Sequence, residues 1–161
     1  MRNFRYYLRV RSGECDGQKV VFNARYRDYI GLATFEYLRA AGLSREFSAK
    51  GLSCQLVNQS VVWKAPARFD QVLELSVRVS HVESTSFAVS TEMRNVDEGR
   101  LCALAETVFT MVEEAALRTV PLTERQRALL LGSAGAQVVD HAGYLPSHGC
   151  TVCAYELPMC M

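Results

Sequence analysis

The chain has 161 residues, of which 49% are apolar, and 18 basic residues against 17 acidic ones leave a formal net charge of +1. This length suffices for one domain with its own core, and the composition points neither to a disordered segment nor to a nucleic-acid-binding protein. Because no apolar run is long enough to cross a bilayer and no signal peptide is visible, we expect a cytoplasmic protein in which the six cysteines are reduced.

The first half of the chain predicts a strand, a loop and a long helix. Apolar and polar side chains alternate from Phe4 to Val10, which is typical of a half-buried strand. After a loop that contains Asp16, apolar residues recur at intervals of three and four from Tyr26 to Ala41, the period of one helical face. Asn23 is a suitable N-cap, and Gly42 stands where a left-handed C-terminal cap is expected. Since this helix is apolar around most of its circumference, we expect protein to surround it.

The second half reads mainly as sheet, after a polar connection over residues 44–50. The predicted strands are Leu52–Trp63, Val72–Val82, Phe87–Met93 and Leu101–Val112. One long helix followed by a run of strands predicts an α+β fold, with the helix packed on an antiparallel sheet of about five strands. A short helix is expected near Pro121. We assign residues 1–132 to the domain and residues 133–161 to an irregular C-terminal tail.

The loop before the long helix holds an isolated carboxylate, Asp16. Free amides and the dipole at a helix N-terminus stabilise negative charge on a carbonyl oxygen, so a carboxylate beside them is a pairing that catalysis can use. Taken alone, however, an aspartate in an Asp-Gly turn is more often an ordinary turn residue.

The run from Asp16 to Tyr26, DGQKVVFNARY, resembles the signature of hotdog-fold acyl-CoA thioesterases of the 4-hydroxybenzoyl-CoA thioesterase type. The likeness continues in element order from about Phe4 to about Leu131. It implies a hotdog fold with a curved sheet, and an enzyme that hydrolyses an acyl or aroyl thioester without a cofactor. It further implies that Asp16 acts as nucleophile or general base and that the backbone N–H of Asn23 polarises the thioester carbonyl.

The same resemblance implies a set of substrate-binding residues. These are Val21, Phe22, Tyr26, Ser60, Val61 and Val62. The first three would line the acyl pocket, whereas the last three would face Asp16 of a second subunit, because proteins of this family build the site between two chains. We therefore expect a homodimer or homotetramer that takes acyl-CoA as its substrate.

Departures from the family pattern keep a second function open. Many members carry Gly-His or Gly-Gly where this chain has Lys19 and Val20, and several have a histidine where Asn23 stands. The alternative is a non-catalytic acyl-CoA or acyl-carrier-protein binding module of the same fold. It predicts saturable binding of acyl-CoA with hydrolysis no faster in the wild type than in Asp16→Asn.

Two other clusters of functional side chains stand outside this signature. The tail contains the potential zinc ligands His141, His148, Cys150, Cys153 and Cys160. Their spacing does not form a paired CxxC site, so no metal is predicted, although a dimeric scaffold whose tail binds a partner or metal is a third possibility. The first strand carries Arg2, Arg5, Arg9 and Arg11. Such a row is usually the solvated face of a strand, and contact with coenzyme A phosphates is the minority hypothesis.

Overall fold

The computed structural model describes residues 3–132 and 137–146, which contain three α-helices and a seven-stranded sheet. The strands are β1 (Phe4–Arg9), β2 (Leu52–Trp63), β3 (Val72–Val82), β4 (Ser86–Asn95), β5 (Arg100–Glu113), β6 (Arg118–Thr119) and β7 (Val138–Asp140). The helices are α1 (Arg25–Ala40), α2 (Leu43–Ala49) and α3 (Glu124–Gly132).

The strands follow the order β2-β5-β4-β3-β1-β7, with β6 paired to the end of β5. Antiparallel pairing joins all of them except β7, which lies parallel to β1. The prediction of about five strands therefore covered only the long ones. Strands β6 and β7 have two and three residues, too few to show an alternating pattern in sequence.

The core lies between α1 and one face of the sheet. Alternate residues of β5 from Ala103 to Met111 are buried. The apolar helix positions that face them are buried too, as predicted: Tyr26, Ile30, Ala33, Tyr37, Leu38 and Ala41. The expectation that protein surrounds the helix is not met within one chain. Leu32 and Phe35 are 48% and 61% exposed, because a single sheet covers only one side of α1.

The ends of the helices differ from their sequence predictions at two places. Helix α1 begins at Arg25 with Ala24 as N-cap and no side-chain cap bond, so Asn23 is not the N-cap. Gly42 does adopt the predicted left-handed conformation, with φ of 78°. The stretch 44–50 is not an irregular connection, because most of it forms α2. Only two residues of α2 are buried, which is too few for a helical period to be recognised.

Candidate active site

The loop that carries Asp16 is closed by backbone hydrogen bonds. The Asp16 N–H donates to the Val20 carbonyl at 2.9 Å, and the Lys19 N–H donates back to the Asp16 carbonyl at 2.9 Å. At the base of the loop, the Phe22 N–H donates to the Glu14 carbonyl at 3.0 Å. The loop therefore leaves the sheet and returns beside its own starting point, directly before α1.

The Asp16 side chain is exposed and uses one of its two oxygens in the loop. Its Oδ1 accepts the backbone N–H groups of Gln18, at 2.8 Å, and Val20, at 3.1 Å. Within the part of the chain that the structure describes, Oδ2 has no hydrogen-bond partner. Such an aspartate is oriented by its own turn, and its second oxygen can still reach a ligand or a water molecule.

The connection between β2 and β3 holds the far side of this loop. The Val21 N–H donates to the Ala67 carbonyl at 2.9 Å, and the Phe69 N–H donates to the Lys19 carbonyl at 3.0 Å. From α1, the hydroxyl oxygen of Tyr26 accepts the Ala67 N–H at 2.9 Å. Burial raises the pKa of Tyr26, so this phenol stays neutral. The loop and the first turn of α1 are thus tied to the same short segment.

Asn23 lies in the turn that leads into α1 and is exposed. Its backbone N–H finds no acceptor among residues 3–132 and 137–146. The 16-residue helix that follows adds the partial positive charge of its N-terminus at this point. A free amide N–H in this place can donate a hydrogen bond to a carbonyl oxygen that is gaining negative charge.

A cavity of about 270 Å³ opens between the Asp16 loop, the start of α1 and the end of β2. Its lining residues are Val20, Val21, Asn23, Tyr26, Trp63, Lys64, Ala65 and Pro66. Trp63 meets Tyr26 edge to face, with ring centroids 6.3 Å apart. Of the three residues proposed for an acyl pocket, Val21 and Tyr26 lie in this lining, whereas Phe22 lies outside it and is 49% exposed.

Sequence reasoning missed Trp63 and Lys64 in this lining. The sequence does show that Trp63 is an aromatic residue at the end of a strand. Its proximity to Val21, however, depends on the tertiary fold. Ser60, Val61 and Val62 lie next to it on β2. Side chains alternate along a strand, so these three cannot share one face. Val61 pairs with the buried Ala105 and is half-buried, whereas Ser60 and Val62 are exposed.

Other candidate groups of the sequence are occupied or lie elsewhere. The arginines of the first strand pair with carboxylates, in the pairs Arg5–Glu74 at 3.8 Å, Arg9–Asp70 at 3.4 Å and Arg11–Glu14 at 2.6 Å. Arg2 and the tail residues His148, Cys150, Cys153 and Cys160 fall outside the described residues. His141 contacts the Tyr6 hydroxyl through Nδ1 at 3.0 Å.

Two features are absent from the described residues. No group of three histidine, cysteine, aspartate or glutamate side chains within 3–132 and 137–146 could hold a metal ion. In the same ranges, none of the helices combines the length and apolarity that a bilayer crossing requires.

Comparison with known proteins identifies the family of the chain. Residues 10–130 match the model of the thioesterase-like superfamily. The acyl-CoA thioester hydrolase YbgC of Escherichia coli is 28% identical over 127 residues, which cover 78% of this chain and 89% of that protein.

Solved structures agree with this assignment. A protein from Aquifex aeolicus has 26% identity and a TM-score of 0.72, over 79% of this chain and 98% of that one. The 1,4-dihydroxy-2-naphthoyl-CoA thioesterase of Synechocystis shares the fold at a TM-score of 0.71 and 20% identity, over 80% of this chain and 95% of that one. The chain therefore belongs to the thioesterase-like superfamily of hotdog proteins, as the resemblance of its Asp16 loop predicted.

Proposed function

We propose that this protein is an acyl-CoA thioesterase in which Asp16 and the backbone N–H of Asn23 act on the same thioester carbonyl. One observation carries the proposal. The hydrogen bond from the Phe22 N–H to the Glu14 carbonyl, 3.0 Å long, closes the Asp16 loop immediately before Asn23. A carboxylate with one free oxygen and an unpaired amide therefore belong to one compact turn.

The chemistry needs few other groups. The carbonyl oxygen of the thioester binds the Asn23 N–H, which stabilises the negative charge that develops during attack. Asp16 either attacks the carbonyl carbon, giving an acyl anhydride that water then hydrolyses, or takes a proton from the water that attacks. In both cases the C–S bond breaks and coenzyme A leaves as a thiolate. A thiolate is a good leaving group, so no strong general acid is required.

The cavity beside the helix start is the proposed site of the acyl group. Its walls include Val21, Tyr26 and Trp63, and its volume is about 270 Å³. This volume lies near the lower end of the range for small-molecule pockets. The aromatic pair of Tyr26 and Trp63 favours a compact or aromatic acyl group at this position.

We further propose that two chains assemble through β2. This strand is at the edge of the sheet and has no neighbour on its outer side within the described residues. Its exposed apolar residues are Leu56, Val57, Val62 and Trp63, which are 44–57% exposed. A long apolar edge strand is a surface that soluble proteins normally cover, and a second copy would bring Ser60 and Val62 beside the partner's loop.

The decisive experiment compares thioester hydrolysis by the wild type and by Asp16→Asn. Short, long and aromatic acyl-CoAs are followed by loss of thioester absorbance, since six cysteines would disturb a thiol reagent. The amide oxygen of the introduced asparagine can still accept the two loop N–H groups, so the turn is retained. We expect kcat to fall by about 100-fold or more.

Asp97→Asn is the matched control, because Asp97 is also an exposed loop aspartate but lies in the turn between β4 and β5. It should hydrolyse thioesters at the wild-type rate. If Asp16→Asn and Asp97→Asn both match the wild type, the proposed role of Asp16 is wrong.

The binding module is the second candidate, and the Asx-type turn of Asp16 favours it. The Oδ1 atom already accepts two N–H groups, which is a structural role that requires no catalysis. Saturable binding of acyl-CoA to both wild type and Asp16→Asn, without turnover by either, would establish this alternative.

A further inference from the structure

Glu14 is a buried carboxylate two residues before Asp16. The residue is only 7% exposed, and both of its oxygens are engaged. Oε2 accepts the Tyr29 hydroxyl at 2.6 Å and the Arg11 backbone N–H at 2.8 Å. Oε1 accepts the Arg11 guanidinium from Nε at 2.9 Å and from Nη2 at 2.6 Å. Glu14 and Tyr29 border a separate cavity of about 400 Å³ with Arg11 and His141, but all four donors to the Glu14 carboxylate come from the protein itself, which is typical of a structural role.

The backbone of Glu14 also shapes the base of the loop. Its carbonyl accepts the Phe22 N–H at 3.0 Å, which joins the residue before the loop to the residue before Asn23. Its side chain reaches Tyr29, which lies in the second turn of α1 and is 2% exposed. Glu14 therefore connects the entry of the loop, the exit of the loop and the helix.

We infer that the hydrogen bond between Tyr29 and Glu14 is a positioning contact that fixes the Asp16 carboxylate relative to the Asn23 amide. This inference rests on the proposed function, since it concerns the geometry of that site. Displacement of a reacting group by about 1 Å can cost two orders of magnitude in rate. The Tyr29–Glu14 bond links α1 to the entry of the loop, in addition to the link through Ala67, and its loss can therefore lower kcat although neither residue lines the proposed acyl cavity.

The same helix supplies a matched comparison. Tyr37 is also buried in α1, and its hydroxyl donates to the Leu130 carbonyl at 3.1 Å, away from the Asp16 loop. Tyr29→Phe and Tyr37→Phe each remove one buried hydroxyl and keep the ring. A loss of stability caused by removing a buried hydroxyl should appear in both variants. A fall in kcat caused by a misplaced Asp16 loop should appear in Tyr29→Phe alone.

The test measures kcat, KM and hydrogen exchange for the full chain and the two variants, with thermal unfolding to verify that each is folded. For Tyr29→Phe we expect kcat to fall by about tenfold with KM within about twofold of the wild type. We also expect faster exchange at the amides of Gln18, Val20 and Phe22. Tyr37→Phe should match the wild type in kcat and in exchange at these amides. Equal kcat and equal exchange in the two variants would overturn the inference.

Two further results separate this inference from the proposed function. Glu14→Ala removes the acceptor of the Tyr29 hydroxyl, and Tyr29→Phe removes the donor. The two substitutions and their combination should therefore be non-additive in kcat; additive losses contradict the inference. A wild type that hydrolyses no thioester ends the proposed function instead. In that case hydrogen exchange at the loop amides still tests whether Tyr29 holds the loop in place. Faster exchange only in Tyr29→Phe supports this role, and equal exchange in both variants rejects it.

Discussion

Lys19 adopts a backbone conformation that ordinary residues avoid. Its φ of 61° places it in the left-handed region, although it carries a side chain, and it lies in the turn that holds Asp16. Glycine adopts this conformation without the clash between the Cβ atom and the backbone. Many members of the family have a glycine in this part of the loop. Lys19 therefore carries a conformational strain that a glycine at this position would not carry.

We predict that Lys19→Gly stabilises the protein by about 1 kcal/mol, because relief of the left-handed strain outweighs the extra freedom of glycine in the unfolded chain. Chemical denaturation measures the change. Gln18→Gly is the control, since Gln18 is the exposed neighbour without a positive φ, and it should lower stability. Loss of stability in both variants would contradict the strain argument.

The charge on Glu14 makes stability depend on pH. Burial alone would raise the pKa of this carboxyl, but the hydrogen bonds from Tyr29 and Arg11 outweigh burial, and the pKa lies below its ordinary value of 4.5. The unfolded state therefore binds the proton more readily than the folded state. The stabilisation is complete above the unfolded value and is lost as the pH falls through the lower folded pKa.

We predict that the free energy of unfolding of the wild type falls on acidification below about pH 4.5, with this one group contributing at most about 1.4 kcal/mol per pH unit. Glu14→Gln lacks the group and should show a flatter profile, measured by urea unfolding between about pH 6 and about pH 3. Glu114→Gln removes an exposed carboxylate and should retain the wild-type slope. Parallel profiles for wild type and Glu14→Gln would show that Glu14 is not linked to folding.

At the scale of elements, β7 is held to β1 by more than its own short ladder. The His141 N–H donates to the Tyr7 carbonyl at 2.9 Å, and the Tyr144 ring stacks on Tyr7 with centroids 5.7 Å apart. The carboxylate of Asp140 closes the following turn, where it accepts the N–H groups of Ala142 at 2.9 Å and Leu145 at 2.7 Å. The turn therefore places the Tyr144 ring against Tyr7 of β1.

We predict that Asp140→Ala loosens β7 at a cost of about 1 kcal/mol, because the two N–H groups of the turn lose their acceptor. Hydrogen exchange at the His141 amide and at the Arg5 amide, which donates to the Gln137 carbonyl at 3.1 Å, should become faster. Asp97→Ala in the turn between β4 and β5 should leave both amides unchanged. Unchanged exchange in Asp140→Ala would mean that the strand pairing holds without the turn.

In the complete sheet, as residues 3–132 and 137–146 form it, the strand order ends in β2 on one side and β7 on the other. Strand β7 has only three residues, whereas β2 has 12 and exposes four large apolar side chains, Leu56, Val57, Val62 and Trp63. The outer face of α1 adds Leu32 and Phe35 to the apolar surface. A chain with this distribution is expected to associate with copies of itself.

We predict that Val57→Lys shifts the protein from dimer to monomer at micromolar concentration, because a charged side chain at the bulge of β2 must be desolvated in the interface. Light scattering measures the mass. Leu131→Lys is the control, since Leu131 is 67% exposed but lies on α3 and not on β2. A monomeric wild type, or a dimer that tolerates Val57→Lys, would count against assembly through this edge.

Elements with a local pattern could be predicted from the amino-acid sequence. The period of three and four over Tyr26–Ala41 and the alternation along β2 and β3 are complete within the segments themselves, so their bounds were predictable to within one or two residues. Asp16 is a candidate site residue on similarly local grounds, because a short run of residues around it resembles a known signature. Short elements such as β7 lacked a pattern long enough to recognise.

Contacts between residues distant in sequence could not be predicted and follow from the packing of the fold. Trp63 joins Tyr26 in the wall of the cavity, and Tyr29 reaches Glu14 across 15 positions of the chain. The exposure of β2 likewise follows from the strand order and not from its composition. These contacts arise because the helix packs across the sheet in one particular arrangement. That arrangement is selected by packing between residues far apart in the chain, which a short stretch of sequence does not reveal.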